Sequence, residues 1–85
     1  MKTIRHVIDN EGNSIVEDVN KFVNKCSGFK SSITVSLGNR TVNAKSILAV
    51  LYLEAIQFDT IEVTICGIDE ELAYDVIKNY LKNNG

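Results

Sequence analysis

Side chains able to do chemistry are few in this sequence of 85 residues, and they are widely spaced. The chain has two cysteines, Cys26 and Cys66, and one histidine, His6. No Cys-x-x-Cys pair is present, which excludes zinc-ribbon and disulfide-scaffold folds and indicates two reduced thiols. The acidic residues are scattered and no glycine-rich phosphate loop occurs. The residues alone therefore predict no catalytic centre, no metal site and no cofactor.

The histidine and the two thiols have structural interpretations. His6 lies between Ile4 and Ile8 in an alternating segment, so we interpret it as a buried or half-buried strand residue, with a phosphoacceptor role as the alternative. Cys26 falls on the apolar side of a predicted helix and is expected in the core. Cys66 ends a predicted strand on its polar side, and no basic residue flanks it, which favours an exposed, unreactive thiol.

Composition predicts one small soluble domain over residues 1–85, because 45% of the residues are apolar, 24% are charged and the chain is too short for two cores. The net charge of −2 argues against nucleic acid and anionic membranes as partners. The longest apolar run, residues 47–53, is far below the roughly 20 residues of a membrane span. The N-terminus has no apolar signal-peptide core, so a cytoplasmic location is expected.

Four strands are predicted from alternating apolar and polar residues, over residues 3–8, 33–37, 40–43 and 61–65. Gly38 and Asn39 form a two-residue hairpin turn between the second and third of them.

Three helices are predicted between and after these strands. The first begins at the capping-box pattern Ser14-x-x-Glu17 and ends before Gly28, the second follows Ser46, and the third follows Asp69 as its cap. The order βαββαβα predicts an α+β two-layer sandwich with the helices on one face of the sheet.

One segment adds a family resemblance. Residues 41–53, Thr-Val-Asn-Ala-Lys-Ser-Ile-Leu-Ala-Val-Leu-Tyr-Leu, resemble the region around the regulatory serine of HPr, the phosphocarrier of the phosphoenolpyruvate-dependent sugar phosphotransferase system. Gly67, Asp69, Glu70 and Ala73 also match the family, and the match runs without a gap from Glu11 onward. The resemblance implies an HPr-like open-faced sandwich with a four-stranded antiparallel sheet, and a protein that is not an enzyme.

The same resemblance implies that the histidine phosphorelay is absent. The family's site has the pattern Gly-x-His-Ala-Arg-Pro-Ala, and residues 13–19 correspond to it here. Ile15 stands where the family has the acceptor histidine, and Glu17 stands where it has the arginine. A carboxylate at this helix N-terminus stabilises the helix but repels a phosphoryl group. The chain is thus similar to the catabolite-repression paralogue of HPr, which also lacks the acceptor histidine.

Ser46 matches the regulatory serine of Gram-positive members, which HPr kinase/phosphorylase phosphorylates so that the product binds the catabolite-control repressor. A phosphate at a helix N-cap meets N–H groups and the positive end of the helix dipole, which suits that role. Serine is also a preferred N-cap, worth about 1 kcal/mol over alanine, so a cap without any kinase is the competing interpretation.

Ile47, Leu48 and Leu51 match the apolar patch by which family members dock their partners. Because a short helix cannot bury a continuous apolar run, we expect Ile47 and Leu48 to be partly exposed, with Lys45 and Arg40 beside them. Leu51 belongs either to this patch or to the core.

These observations predict a regulatory or binding protein of the sugar phosphotransferase system and of carbon catabolite control. Its partners would be proteins, namely HPr kinase/phosphorylase, the catabolite-control repressor or other HPr-binding proteins. An unphosphorylated interaction or decoy module, and a phosphocarrier that uses His6, are the alternatives.

Overall fold

The computed structural model describes residues 1–7, 19–54 and 60–84. Along these segments the elements are β1 (Lys2–Val7), α1 (Val19–Ser27), β2 (Ser32–Leu37), β3 (Arg40–Asn43), α2 (Ile47–Glu54), β4 (Thr60–Cys66) and α3 (Glu70–Asn84). This order confirms the predicted βαββαβα arrangement, and the strand bounds agree with the alternation pattern to within one residue. The predicted helix start at Ser14 and the strand residue Ile8 lie outside the described residues.

The sheet has the strand order β1-β4-β2-β3, and each neighbouring pair is antiparallel. The central strand β4 places Val63 opposite both Ile4 of β1 and Val35 of β2. A tight turn joins β2 to β3, as predicted. Gly38 in this turn has a φ of 57°, a left-handed value that glycine adopts at little cost.

The three helices cover one face of this sheet. Along β4, Ile61, Val63 and Ile65 are buried while Glu62 and Thr64 between them are half-exposed. The helices bury residues against that apolar face, and together they form one hydrophobic cluster: Phe22, Val23 and Cys26 of α1, Val50 of α2, and Ala73, Ile77, Tyr80 and Leu81 of α3. The α+β open-faced sandwich is therefore confirmed.

The two thiols lie where the sequence predicts them. Cys26 is buried in the hydrophobic cluster, and burial raises the pKa of its thiol to about 12. Cys66 is exposed at the end of β4. A buried thiol with a raised pKa is a poor nucleophile, which supports a packing role for Cys26.

Asp69 differs in part from its predicted role as the cap of α3. Its backbone oxygen does accept a hydrogen bond from the N–H of Ala73 at 2.9 Å, as an N-cap residue should. Its carboxylate, however, accepts hydrogen bonds from the backbone N–H groups of Lys30 at 2.8 Å and Ser31 at 2.9 Å. The side chain therefore joins α3 to the α1–β2 connection, because folding brings two amide donors within its reach.

Candidate functional site

Ser46 is the N-cap of α2, as predicted. Its Oγ accepts a hydrogen bond from the N–H of Ala49 at 3.3 Å, and its backbone oxygen accepts one from the N–H of Val50 at 3.0 Å. Its own N–H donates to the backbone oxygen of Asn43 at 3.1 Å. The residue is partly exposed. A hydroxyl group thus stands at the positive end of a helix dipole, within reach of solvent.

The residue before this cap is fixed by two hydrogen bonds. The N–H of Lys45 donates to Oδ1 of Asn43 at 2.9 Å, and its Nζ donates to the backbone oxygen of Phe29 at 2.7 Å. Lys45 is half-buried. The sequence predicts Lys45 beside Ile47 and Leu48, and the structure bonds its ammonium to the α1–β2 connection.

Apolar side chains on α2 face outward and form what we call the α2 surface: Ile47, Leu48, Leu51 and Tyr52. Leu48 is 80% exposed and Leu51 is 42% exposed, whereas Val50 on the inner side of the helix is only 3% exposed. The expected exposure of Ile47 and Leu48 is confirmed, and Leu51 lies on this surface and not in the core. Tyr52 was not foreseen, although its spacing of four residues from Leu48 places both on one side of a helix.

Arg40 lies at the edge of the α2 surface through its contact with Tyr52. Its Nη1 donates a hydrogen bond to the Tyr52 hydroxyl, and its guanidinium carbon is 5.4 Å from the centroid of the Tyr52 ring. Both contacts hold the arginine against the last turn of α2. Arg40 thus lies beside Tyr52 of the α2 surface, an aromatic side chain that the sequence pattern did not single out.

Two cationic residues lie near the α2 surface. Arg40 contacts Tyr52, Lys45 directly precedes the Ser46 cap, and the first turn of α2 carries no acidic residue. An exposed apolar surface beside cationic side chains suits a protein partner that presents apolar and acidic groups.

His6 is half-buried on β1, opposite Ile61 of β4. Burial lowers the pKa of its imidazole below the ordinary value. The lowered pKa favours the neutral ring, which lies on the same side of the strand as the buried Ile4. This position agrees with the interpretation of His6 as a structural residue.

Ile15 and Glu17, the residues expected at the family's acceptor and arginine positions, lie outside the described residues. Within the described segments, no three histidine, cysteine, aspartate or glutamate side chains stand together as a metal ion would require. None of the described helices is long and apolar enough to cross a bilayer.

The sequence matches a family model described as the PTS HPr component phosphorylation site, over residues 3–83. Two curated relatives, the phosphocarrier proteins HPr of Xylella fastidiosa strains Temecula1 and 9a5c, are each 41% identical over 63 residues. Those residues span 74% of this chain and 71% of each relative.

Solved structures with the same fold include HPr-C-His from Thermoanaerobacter tengcongensis, with a TM-score of 0.85 and 30% identity over 99% of this chain and 94% of that one. HPr from Bacillus anthracis strain Ames has a TM-score of 0.79 and 25% identity over 94% and 95%. The Bacillus subtilis catabolite repression containing protein Crh has a TM-score of 0.69 over 95% and 86%, and its 20% identity supports likeness of fold alone.

The family model covers nearly the whole chain, the curated relatives are well above 30% identical, and the fold matches solved HPr structures with TM-scores of 0.85 and 0.79. The chain therefore belongs to the HPr family, the phosphocarrier family of the sugar phosphotransferase system, and is not an enzyme.

Proposed function

We propose that this HPr-family protein is a regulatory binding module that acts through Ser46 and the α2 surface, without a histidine phosphorelay. The observation that carries the proposal is the position of the Ser46 hydroxyl. The hydroxyl caps α2 directly before the exposed residues Ile47 and Leu48. A charge placed on this oxygen would stand at the edge of an apolar docking surface.

The case against a phosphorelay rests on the histidine content. His6 is the one histidine of the chain, and it is half-buried on a strand with its pKa lowered by burial. By resemblance, Ile15 and Glu17 occupy the positions of the acceptor and of its arginine. A glutamate at that position would repel an incoming phosphoryl group.

Phosphorylation of Ser46 would transfer the γ-phosphoryl group of ATP to Oγ. A bond forms between Oγ and the γ-phosphorus, the bond from that phosphorus to the β–γ bridging oxygen breaks, ADP leaves, and the hydroxyl proton passes to the base of the kinase. The product carries a charge near −2 at pH 7. At the N-terminus of α2, this anion would meet the N–H groups and the positive end of the dipole.

The partners we propose are HPr kinase/phosphorylase for the modification and the catabolite-control repressor, or another HPr-binding protein, for the readout. The α2 surface supports a protein partner because it combines exposed apolar side chains with Arg40 and Lys45. We place these events in the cytoplasm.

The kinase experiment incubates the full chain with HPr kinase/phosphorylase and ATP and weighs the product. We expect one acid-stable phosphate on the wild type and none on Ser46→Ala. Ser36→Ala is the matched control, because Ser36 is a partly exposed serine of β2 whose hydroxyl lies 2.9 Å from that of Thr41. Circular dichroism checks the fold of each variant, since loss of the Ser46 cap costs about 1 kcal/mol. A folded wild type that takes no phosphate would contradict regulation through Ser46.

A parallel incubation with enzyme I and phosphoenolpyruvate tests the phosphorelay. We expect no acid-labile phosphate on the chain. An acid-labile phosphoryl group that maps to His6 and disappears in His6→Gln would instead make the protein a phosphocarrier. The interaction module that needs no phosphorylation would be indicated if the kinase-treated wild type and the kinase-treated Ser46→Ala variant bind the partner equally. The α2 surface is common to both proteins.

A further inference from the structure

The ammonium of Lys45 connects the N-terminal end of α2 to the chain that follows α1. Its Nζ donates to the backbone oxygen of Phe29 at 2.7 Å, in a partly buried position. Phe29 belongs to the connection between α1 and β2, residues 28–31. Lys45 is also the residue directly before Ser46. One flexible side chain thus joins the proposed phosphorylation site to a second segment of the molecule.

Asp69 of the β4–α3 turn also binds the α1–β2 connection. The carboxylate of Asp69 accepts hydrogen bonds from the N–H groups of Lys30 and Ser31. Phe29 itself donates from its N–H to the backbone oxygen of Cys26 at 3.3 Å, in the last turn of α1. The Lys45 charge lies near enough to oppose the rise in the pKa of the Cys26 thiol. The ammonium therefore lies at the C-terminal end of α1, where the helix dipole favours a positive charge.

A phosphate on Ser46 would compete for this ammonium. The present acceptor, the Phe29 carbonyl, is neutral, whereas a phosphoserine is a near-dianion with three strong acceptor oxygens. Charge-assisted hydrogen bonds to an anion are the stronger kind, and a lysine stem has enough rotatable bonds to change its direction. The adjacent residue is thus a better partner for Lys45 once it is charged.

We propose that Lys45 is a positioning residue that moves its ammonium from the Phe29 carbonyl to the phosphate when Ser46 is phosphorylated. This inference rests on the proposed function of Ser46. Phe29 loses a hydrogen-bond donor, so the connection over residues 28–31 remains held by Asp69 but is released on the α2 side. Modification of α2 is in this way communicated to the C-terminal end of α1.

The test places a negative charge at position 46 without a kinase. Ser46→Asp and Ser46→Glu are made in the wild type and in a Lys45→Met background, and the carbonyl carbon of Phe29 is followed by NMR. Lys45→Met alone removes the donor, and the resulting upfield shift of that carbon calibrates complete loss. We expect each acidic variant to move the signal most of the way to this value. In the Lys45→Met background, the same acidic variants should add no further shift.

Lys30→Met is the matched control, because Lys30 is an exposed lysine of the same connection. The acidic variants should shift the Phe29 carbonyl carbon as fully in the Lys30→Met background as in the wild type. A Phe29 signal that stays at its wild-type position in both acidic variants would overturn the inference, and so would a shift that is equally large without Lys45. Because no kinase is involved, these outcomes are separate from the failure of the kinase experiment, which bears on the proposed function alone.

Discussion

Asp69 holds Ser31 through two hydrogen bonds: its Oδ1 accepts the Ser31 N–H at 2.9 Å and also the Ser31 hydroxyl. Ser31 is only 1% exposed, so both of its donors are satisfied away from water. These bonds, with that from the Lys30 N–H, favour the charged carboxylate and lower the pKa of Asp69. The link is therefore stronger when Asp69 is ionised.

The first prediction concerns stability in acid. Because the pKa of Asp69 is lowered in the folded protein from its ordinary value of 3.8, its carboxylate stabilises the fold above that value, and this contribution is lost as the pH falls through the folded pKa. The free energy of unfolding, measured by urea titration at pH 7 and pH 2, should therefore fall less in Asp69→Asn than in the wild type. Asp75 lies at an exposed position on α3. The free energy of unfolding of Asp75→Asn should therefore fall between pH 7 and pH 2 by as much as that of the wild type. Equal falls in all three would contradict the assignment.

The second prediction concerns Gly67, which approaches Ser31 very closely. A Cβ at position 67 would lie 2.6 Å from the Cα of Ser31 and 2.8 Å from its Cβ. Gly67→Ala should thus lower the free energy of unfolding by about 1 to 3 kcal/mol, as overpacking does in a tight interior.

Gly28→Ala is the comparison for this effect. A Cβ there would meet the backbone oxygen of Lys25 at 3.4 Å, an ordinary contact. The free energy of unfolding of Gly28→Ala should therefore lie within about 0.5 kcal/mol of the wild-type value. Chemical denaturation of both variants gives the answer. A Gly67→Ala variant as stable as Gly28→Ala would contradict the prediction and would mean that the backbone of the β4–α3 turn moves at little cost.

The third prediction concerns the α2 surface. Leu48→Asp should weaken binding of the Ser46-phosphorylated chain to the catabolite-control repressor at least tenfold, about 1.4 kcal/mol, because an apolar docking contact is replaced by a charge. Stability should hardly change, since Leu48 is exposed and an acidic residue suits the first turn of a helix.

Leu72→Asp provides the control, because Leu72 is also an exposed leucine but lies on α3. It should bind as the wild type does in isothermal titration calorimetry. Unchanged binding by Leu48→Asp would exclude the α2 surface as the docking site.

The fourth prediction tests the register of residues 15 and 17, which lie outside the described part of the chain. Ile15→His alone should accept phosphate from enzyme I poorly, because Glu17 repels the phosphoryl group. Adding Glu17→Arg should speed the transfer at least tenfold, a barrier difference of about 1.4 kcal/mol, since an arginine donates charge-assisted hydrogen bonds to a phosphoryl group. Rates of acid-labile phosphorylation measure the effect. The same rate for single and double variants would mean that Glu17 does not face the acceptor.

Sequence patterns predicted the elements of this fold well because each one has a local signal. The alternation of Ile61, Val63 and Ile65 with Glu62 and Thr64 marks β4, and the cap at Ser46 marks the start of α2. The exposure of Leu48 was also predictable, because a short helix with a continuous apolar run has more apolar side chains than one core-facing side can bury.

The contacts between distant residues were not predictable in this way. The direction of the Asp69 carboxylate, the bond from Lys45 to Phe29 and the contact of Arg40 with Tyr52 all depend on how elements pack. A local pattern states that Asp69 can cap a helix, but it does not state that the amides of Lys30 and Ser31 will lie nearer to its carboxylate. The same holds for Gly67, where a side chain would collide with Ser31 of the α1–β2 connection.

The central place of β4 in the sheet has a consequence for how the chain acquires this fold during synthesis. β1 ends at Val7, but its neighbour β4 begins only at Thr60, and β2 pairs with that same strand. Until β4 leaves the ribosome, the β2–β3 hairpin is the only strand pairing of the described sheet that can form. Such long-range pairing slows folding and exposes unpaired strand edges in the meantime. Fragments that end before β4 should therefore be unsuitable for locating partner sites, because they would carry α2 without the sheet that supports it.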